Sequence, residues 1–144
     1  MAAASAQVSQ PRDYPLIVEK DVPIPLRDGT ILYGDIFRPD GASERFPVIM
    51  NIGPYHKDKV WVPPEDLEEK PNPYMNWETA NPMWWCPRGY ALLRVDTRGS
   101  GKSPGRSEPS SYQESVDCYD CIEWIARRPW CSGSVGTLGV SYHA

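Results

Sequence analysis

The sequence predicts an α/β chain, with a mostly parallel sheet entered through an antiparallel hairpin. Three observations carry this. Residues 17–38 hold two extended segments around Arg27-Asp28-Gly29-Thr30, a turn in which Gly29 suits positive φ. Residues 46–52, 90–95 and 135–140 are short apolar runs of the kind that lie buried in parallel sheets. Between the last two runs, Val116, Tyr119, Ile122 and Ala126 recur at helical spacing. Strand, helix, strand in that order predicts a right-handed parallel unit.

The elements follow in order. Residues 1–14 read as a disordered tail, with neither the basic start nor the apolar stretch of a secretory signal. The hairpin and the first buried strand come next. Residues 57–88 then interrupt the pattern with six Pro, four of the six Trp and an acidic cluster at Glu65, Asp66, Glu68 and Glu69. A segment this long between two strands is often functional. Its aromatics are of the type that lines an acyl or peptide pocket. The plainer reading packs a short helix onto the sheet, and it is preferred for Trp84 and Trp85, with Trp61 and Trp77 left open. The helix is expected over residues 112–128. Ser110 or Ser111 caps it, Glu114 completes a capping box, and Pro129 ends it.

Composition excludes several function classes. A net charge of −4 argues against a nucleic-acid partner. No apolar stretch approaches the ~20 residues of a membrane span. The 16 Pro imply few long helices and many loops. Cys118-x-x-Cys121 falls inside the expected helix, and Cys86 and Cys131 do not complete a zinc set around it. The four Cys therefore read as structural thiols in a reducing, cytoplasmic setting, with no metal and no cofactor.

The chemistry is concentrated at the end of the chain, Gly139-Val140-Ser141-Tyr142-His143-Ala144. A strand that runs into Gly-x-Ser matches the strained turn that exposes a nucleophilic Ser. His143 stands two residues after the Ser, where a small residue is expected, so the pattern departs from Gly-x-Ser-x-Gly. The alternative is a Ser at a strand end that caps a following helix. Gly101-Lys102-Ser103 matches the end of a phosphate-binding loop. Asp96 stands where its first Gly belongs, and Pro104-Gly105 blocks the helix such a loop needs. These residues read better as a Gly-rich turn at the C-terminal edge of a parallel sheet, where active sites gather.

Four ordered segments resemble the cocaine-esterase and X-prolyl dipeptidyl-peptidase family of α/β-hydrolases. They are Pro25 to Thr30 with Asp35-Ile36-Phe37-Arg38-Pro39, then Gly53-Pro54-Tyr55-His56-Lys57, then Asp96 to Ser103 with Gly105, and finally Glu123-Trp124-Ile125-Ala126 through Pro129-Trp130-Cys131-Ser132-Gly133 to Gly139-Val140-Ser141-Tyr142. The resemblance runs from about Val22 to the last residue. It implies that residues 15–144 form the N-terminal part of an α/β-hydrolase catalytic domain, ending after the nucleophile elbow.

The resemblance also implies roles. Ser141 matches the nucleophile. Tyr142 matches the residue whose backbone N–H forms half of the oxyanion hole, and Tyr55 a tyrosine whose hydroxyl forms the other half. Both groups are donors that suit a developing oxyanion. The plain reading of Tyr55 is a loop aromatic packed on the sheet edge. The family's acid and base have no counterparts in these 144 residues. His56 and His143 are expected to be solvated or packed. The substrate implied is a small ester, amide or peptide, the oligomeric state is open, and two classes of function remain. One is a serine hydrolase that forms an acyl-enzyme. The other is a non-catalytic α/β-hydrolase remnant. The chain alone is expected to lack useful turnover and to aggregate through its last strand.

Overall fold

The computed structural model describes residues 9–143. Of the tail expected over residues 1–14, residues 1–8 lie outside that range. In the part described, Arg12 N–H donates to the Pro87 carbonyl at 2.7 Å, and Tyr14 meets Phe46 edge-on with ring centroids 5.4 Å apart.

The hairpin consists of β1 (Leu16–Pro25) and β2 (Ile31–Pro39), paired antiparallel. Its register shifts between Glu19 and Val22, where Asp21 takes a left-handed φ of 54°. An extra residue in one strand reverses which face its side chains meet. Leu16 and Val18 accordingly pack on one side of the sheet, while Val22 and Ile24 pack on the other. β2 continues antiparallel onto β4 (Ala91–Asp96). β3 (Phe46–Gly53) then lies parallel to β4 on one side and to β5 (Cys131–Thr137) on the other. The sheet order is β1-β2-β4-β3-β5.

Two layers cover this sheet. Helix α2 (Tyr112–Ala126) buries Cys121 and Ile125 against Ile24, Leu32, Ile36, Met50 and Leu93. The Ser111 side chain caps it by accepting from Glu114 N–H at 3.3 Å, and Glu114 reaches back to Ser110 N–H at 2.7 Å. The helix stops two residues short of the expected 128. Pro129 disfavours helical geometry in the residue before it, and Arg127 is the cap. On the other face, Phe37 and Leu92 meet Tyr74, Ala80, Trp85 and Cys86. There a short helix α1 (Pro82–Trp85) starts at Asn81, whose side chain accepts from Met83 N–H. Trp85 faces the sheet. Trp84 stays exposed, with the Arg88 guanidinium 3.8 Å above its ring. Trp61 and Trp77 meet edge-on at 4.9 Å.

One strand is displaced from its expected place. The run at 135–140 predicts a strand there, but β5 begins at Cys131 and ends at Thr137. The buried Cys131 pairs with Phe46, so the chain joins the sheet as soon as it leaves the turn after α2. Beyond Thr137 the backbone leaves the strand ladder. Leu138 N–H still reaches the Met50 carbonyl at 3.1 Å, but Val140 N–H turns to the Glu78 carbonyl at 3.3 Å. That departure forms the turn that carries Ser141.

Candidate active site

The parallel arrangement of β3, β4 and β5 puts their C-terminal ends on one edge. Three loops therefore meet there, after Gly53, Asp96 and Thr137. Ser141 follows β5, is exposed, and has φ 57°. A non-glycine residue in the left-handed region is strained and persists there only where its surroundings impose it. Here Ser141–His143 form one 3₁₀ turn, closed by His143 N–H on the Val140 carbonyl at 3.2 Å. Gly139 lies so close to the His143 backbone that a Cβ would collide with it. The structure thus has a sharp turn that presents the Ser side chain outward.

His143 fits where a small residue was expected because the facing residue is a glycine. Its imidazole lies over Gly53, and a Cβ on Gly53 would enter the ring. Asn51 Nδ2 lies 3.1 Å from His143 Nδ1, and His143 Nε2 is buried without a hydrogen-bond partner. Burial pushes the His143 pKa down against the opposing charge of Glu78, and Arg94 adds to the depression. This histidine is packed and neutral.

Tyr142 extends away from the sheet edge. Its hydroxyl donates to Glu114 at 2.6 Å and accepts from Ser110 N–H at 2.9 Å. Burial and the Glu114 hydrogen bond raise its pKa. The phenol is thereby committed to the start of α2, and its backbone is the part that borders Ser141. Tyr55 lies in the loop after β3, 49% exposed. Its ring meets Tyr142 at 6.4 Å and His143 at 5.1 Å, both edge-on. The fold therefore brings Tyr55, Ser141 and Tyr142 to one place. His56 is exposed in the same loop with φ 71°.

The Gly-rich turn closes on Asp96. The Asp96 carboxylate accepts Lys57 N–H at 2.7 Å and Lys102 N–H at 3.0 Å. Gly101, at φ 52°, has no room for a Cβ beside that carboxylate. The amides of this turn are thus directed at a protein carboxylate. Asp96 ties the loop after β3 to the loop after β4. Arg94 does similar work on the other face, donating to the Tyr74 carbonyl at 3.1 Å and the Ala80 carbonyl at 3.3 Å. Burial pushes its pKa down to about 10. Sequence reasoning gave Asp96 and Arg94 no role. Charged residues inside an otherwise apolar run were the available signal. All four cysteines are free thiols; burial raises the pKa of Cys86, Cys118 and Cys121, to about 12 for Cys86.

Comparison with known proteins bears on the family and the fold. The model of the X-Pro dipeptidyl-peptidase (S15) family matches residues 28–144. The chain belongs to that family. Among its relatives, the cocaine esterase of Rhodococcus sp. (strain MB1 Bresler) is 35% identical over 127 residues, covering 87% of this chain and 19% of the relative. A putative Xaa-Pro dipeptidyl-peptidase of Bacillus anthracis is 29% identical, covering 75% of this chain and 21% of the relative. The crystal structure of a CocE/NonD family hydrolase from Staphylococcus aureus superposes with a TM-score of 0.78 at 39% identity, over 89% of this chain and 24% of that one. This S15 chain thus spans about a fifth of the length of the curated relatives it matches. Its mixed five-stranded sheet, with the hairpin at the start, is the N-terminal part of their α/β-hydrolase fold. Among the described residues, no helix is long and apolar enough to cross a membrane.

Proposed function

We propose that the chain supplies the nucleophile and oxyanion hole of a serine hydrolase that cleaves an ester or amide, of acyl or X-Pro dipeptidyl type. The observation that carries this is the left-handed Ser141, at φ 57°, on the same sheet edge as Tyr55. The Ser141 Oγ attacks the substrate carbonyl carbon and gives up its proton to a histidine base. That base has no counterpart among residues 1–144 in the family resemblance. The carbonyl oxygen becomes an oxyanion that accepts hydrogen bonds from Tyr142 N–H and Tyr55 hydroxyl. Collapse expels the alcohol or amine and leaves an acyl-enzyme on Ser141, which water then hydrolyses. The substrate is a small ester, amide or peptide, and no nucleic acid or membrane takes part. Four free thiols suit a reducing compartment such as the cytoplasm.

A fluorophosphonate probe tests the proposal on the native protein. Labelling is expected at Ser141 and is abolished in Ser141→Ala. Tyr55→Phe is expected to lower kcat by about 10²–10³ with KM nearly unchanged, as for loss of one oxyanion donor. Labelling that survives Ser141→Ala places the nucleophile elsewhere. No labelling of the native protein favours a non-catalytic role.

A further inference from the structure

Lys57 is buried, although it belongs to a surface loop. Its side chain is 0% exposed, and its ammonium is surrounded by Asp21 at 2.5 Å, Asp35 at 2.9 Å and Asp58 at 3.0 Å. These carboxylates come from the β1 bulge, the middle of β2 and the loop itself. The three oxygens lie close enough together to hold a metal ion, but the Lys57 ammonium already sits among them. Lys20 pairs with Asp35 and Asp58, and Lys102 with Asp21 and Asp58, so three lysines balance three aspartates. Burial disfavours the Lys57 ammonium, yet the hydrogen bonds it donates to Asp21, Asp35 and Asp58 outweigh this and hold the pKa well above the ordinary lysine value.

The backbone of Lys57 is held as well, through its N–H on the Asp96 carboxylate at 2.7 Å. Residue 57 is thus gripped at both ends, by the hairpin and by the end of β4. Two residues earlier lies Tyr55, whose ring is half exposed and meets the rings of Tyr142 and His143 edge-on. His56 joins them in a left-handed conformation at φ 71°, with its carbonyl accepting from Asn76 Nδ2 at 3.1 Å. On the other side, the Gly53 carbonyl accepts from Thr97 N–H at 3.1 Å. The backbone clamp determines where the loop that carries Tyr55 lies, and the ring contacts with Tyr142 and His143 complete its seating.

We infer that Lys57 is the positioning residue of the oxyanion hole: its buried ammonium, seated among Asp21, Asp35 and Asp58, locks the loop that aims Tyr55 at the Ser141 turn. The inference rests on Tyr55 being an oxyanion donor. Misplacement of such a group by ~1 Å costs about 10²-fold in rate, so the side chains far from the reacting atoms matter here through geometry alone.

The test is a double-mutant cycle in the native protein, read as kcat and KM separately. Lys57→Met is expected to lower kcat by about 10²-fold, with KM changed little and Lys57→Arg restoring part of the loss. The milder Asp21→Asn keeps a residue suited to left-handed backbone and removes one carboxylate charge. It is expected to lower kcat by about tenfold and serves if Lys57→Met does not fold. In a Tyr55→Phe background, both substitutions are expected to leave kcat unchanged, because the group they position is gone. A kcat loss that persists undiminished with Tyr55→Phe overturns the inference, and so does a wild-type kcat in Asp21→Asn together with Lys57→Met. If Tyr55→Phe alone leaves kcat intact, the oxyanion role of Tyr55 fails instead.

Discussion

Strain at Ser141 has a measurable sign. The residue has φ 57°, where a Cβ costs roughly 1–2 kcal/mol and glycine pays nothing. Ser141→Ala keeps the Cβ and its strain, whereas Ser141→Gly removes both. Glycine also loosens the unfolded chain, which lowers stability relative to alanine by roughly 0.4–1 kcal/mol. The two effects leave Ser141→Gly more stable than Ser141→Ala by about 0.8 kcal/mol at the middle of the two ranges, and by up to about 1.6 kcal/mol. At an ordinary helical site the order is reversed. Ser115 is exposed within α2, and there alanine exceeds glycine by about 0.8–1 kcal/mol. Equilibrium urea unfolding of the four variants gives both differences under one set of conditions. An alanine at 141 more stable than glycine, as at position 115, would refute the strained elbow. Both substitutions at 141 remove the hydroxyl, so neither variant takes the fluorophosphonate label.

Other outcomes follow from buried charges. Arg98 donates to Asp117 through Nε and Nη2, both at 2.9 Å, and Asp117 is nearly fully buried. Arg98→Met removes the charge partner of that carboxylate, leaving it the Gln113 Nε2 hydrogen bond at 2.8 Å, and is expected to cost about 3–5 kcal/mol in urea unfolding, most of it recovered by adding Asp117→Leu; a loss below ~1 kcal/mol contradicts the pairing. His143 has a folded pKa below its unfolded value near 6.5. Its neutral form is therefore favoured in the fold, with full stability above pH ~6.5 and a decline as pH falls toward the depressed pKa. His143→Gln is expected to flatten that part of the stability profile, and an unchanged profile counts against a buried neutral imidazole.

The sequence by itself determined most of the elements and the family resemblance. Apolar runs mark β3 and β4, turn residues mark the hairpin, and helical spacing with a Ser cap marks α2, because each signal is local. Gly139-Val140-Ser141 was legible for the same reason. A sharp turn leaves its demand for small residues in the adjacent positions. Non-local partners decided the rest. The shift of β5 to Cys131–Thr137 depends on Phe46, far away in sequence. The fit of His143 depends on the missing side chain of Gly53. Lys57 reads as an ordinary loop lysine until β1 and β2 bring Asp21 and Asp35 to it. Tyr55 and Tyr142 are 87 positions apart in the numbering and meet at 6.4 Å. That encounter exists only because β3 and β5 run parallel and adjacent, which places their C-terminal loops on one edge of the sheet.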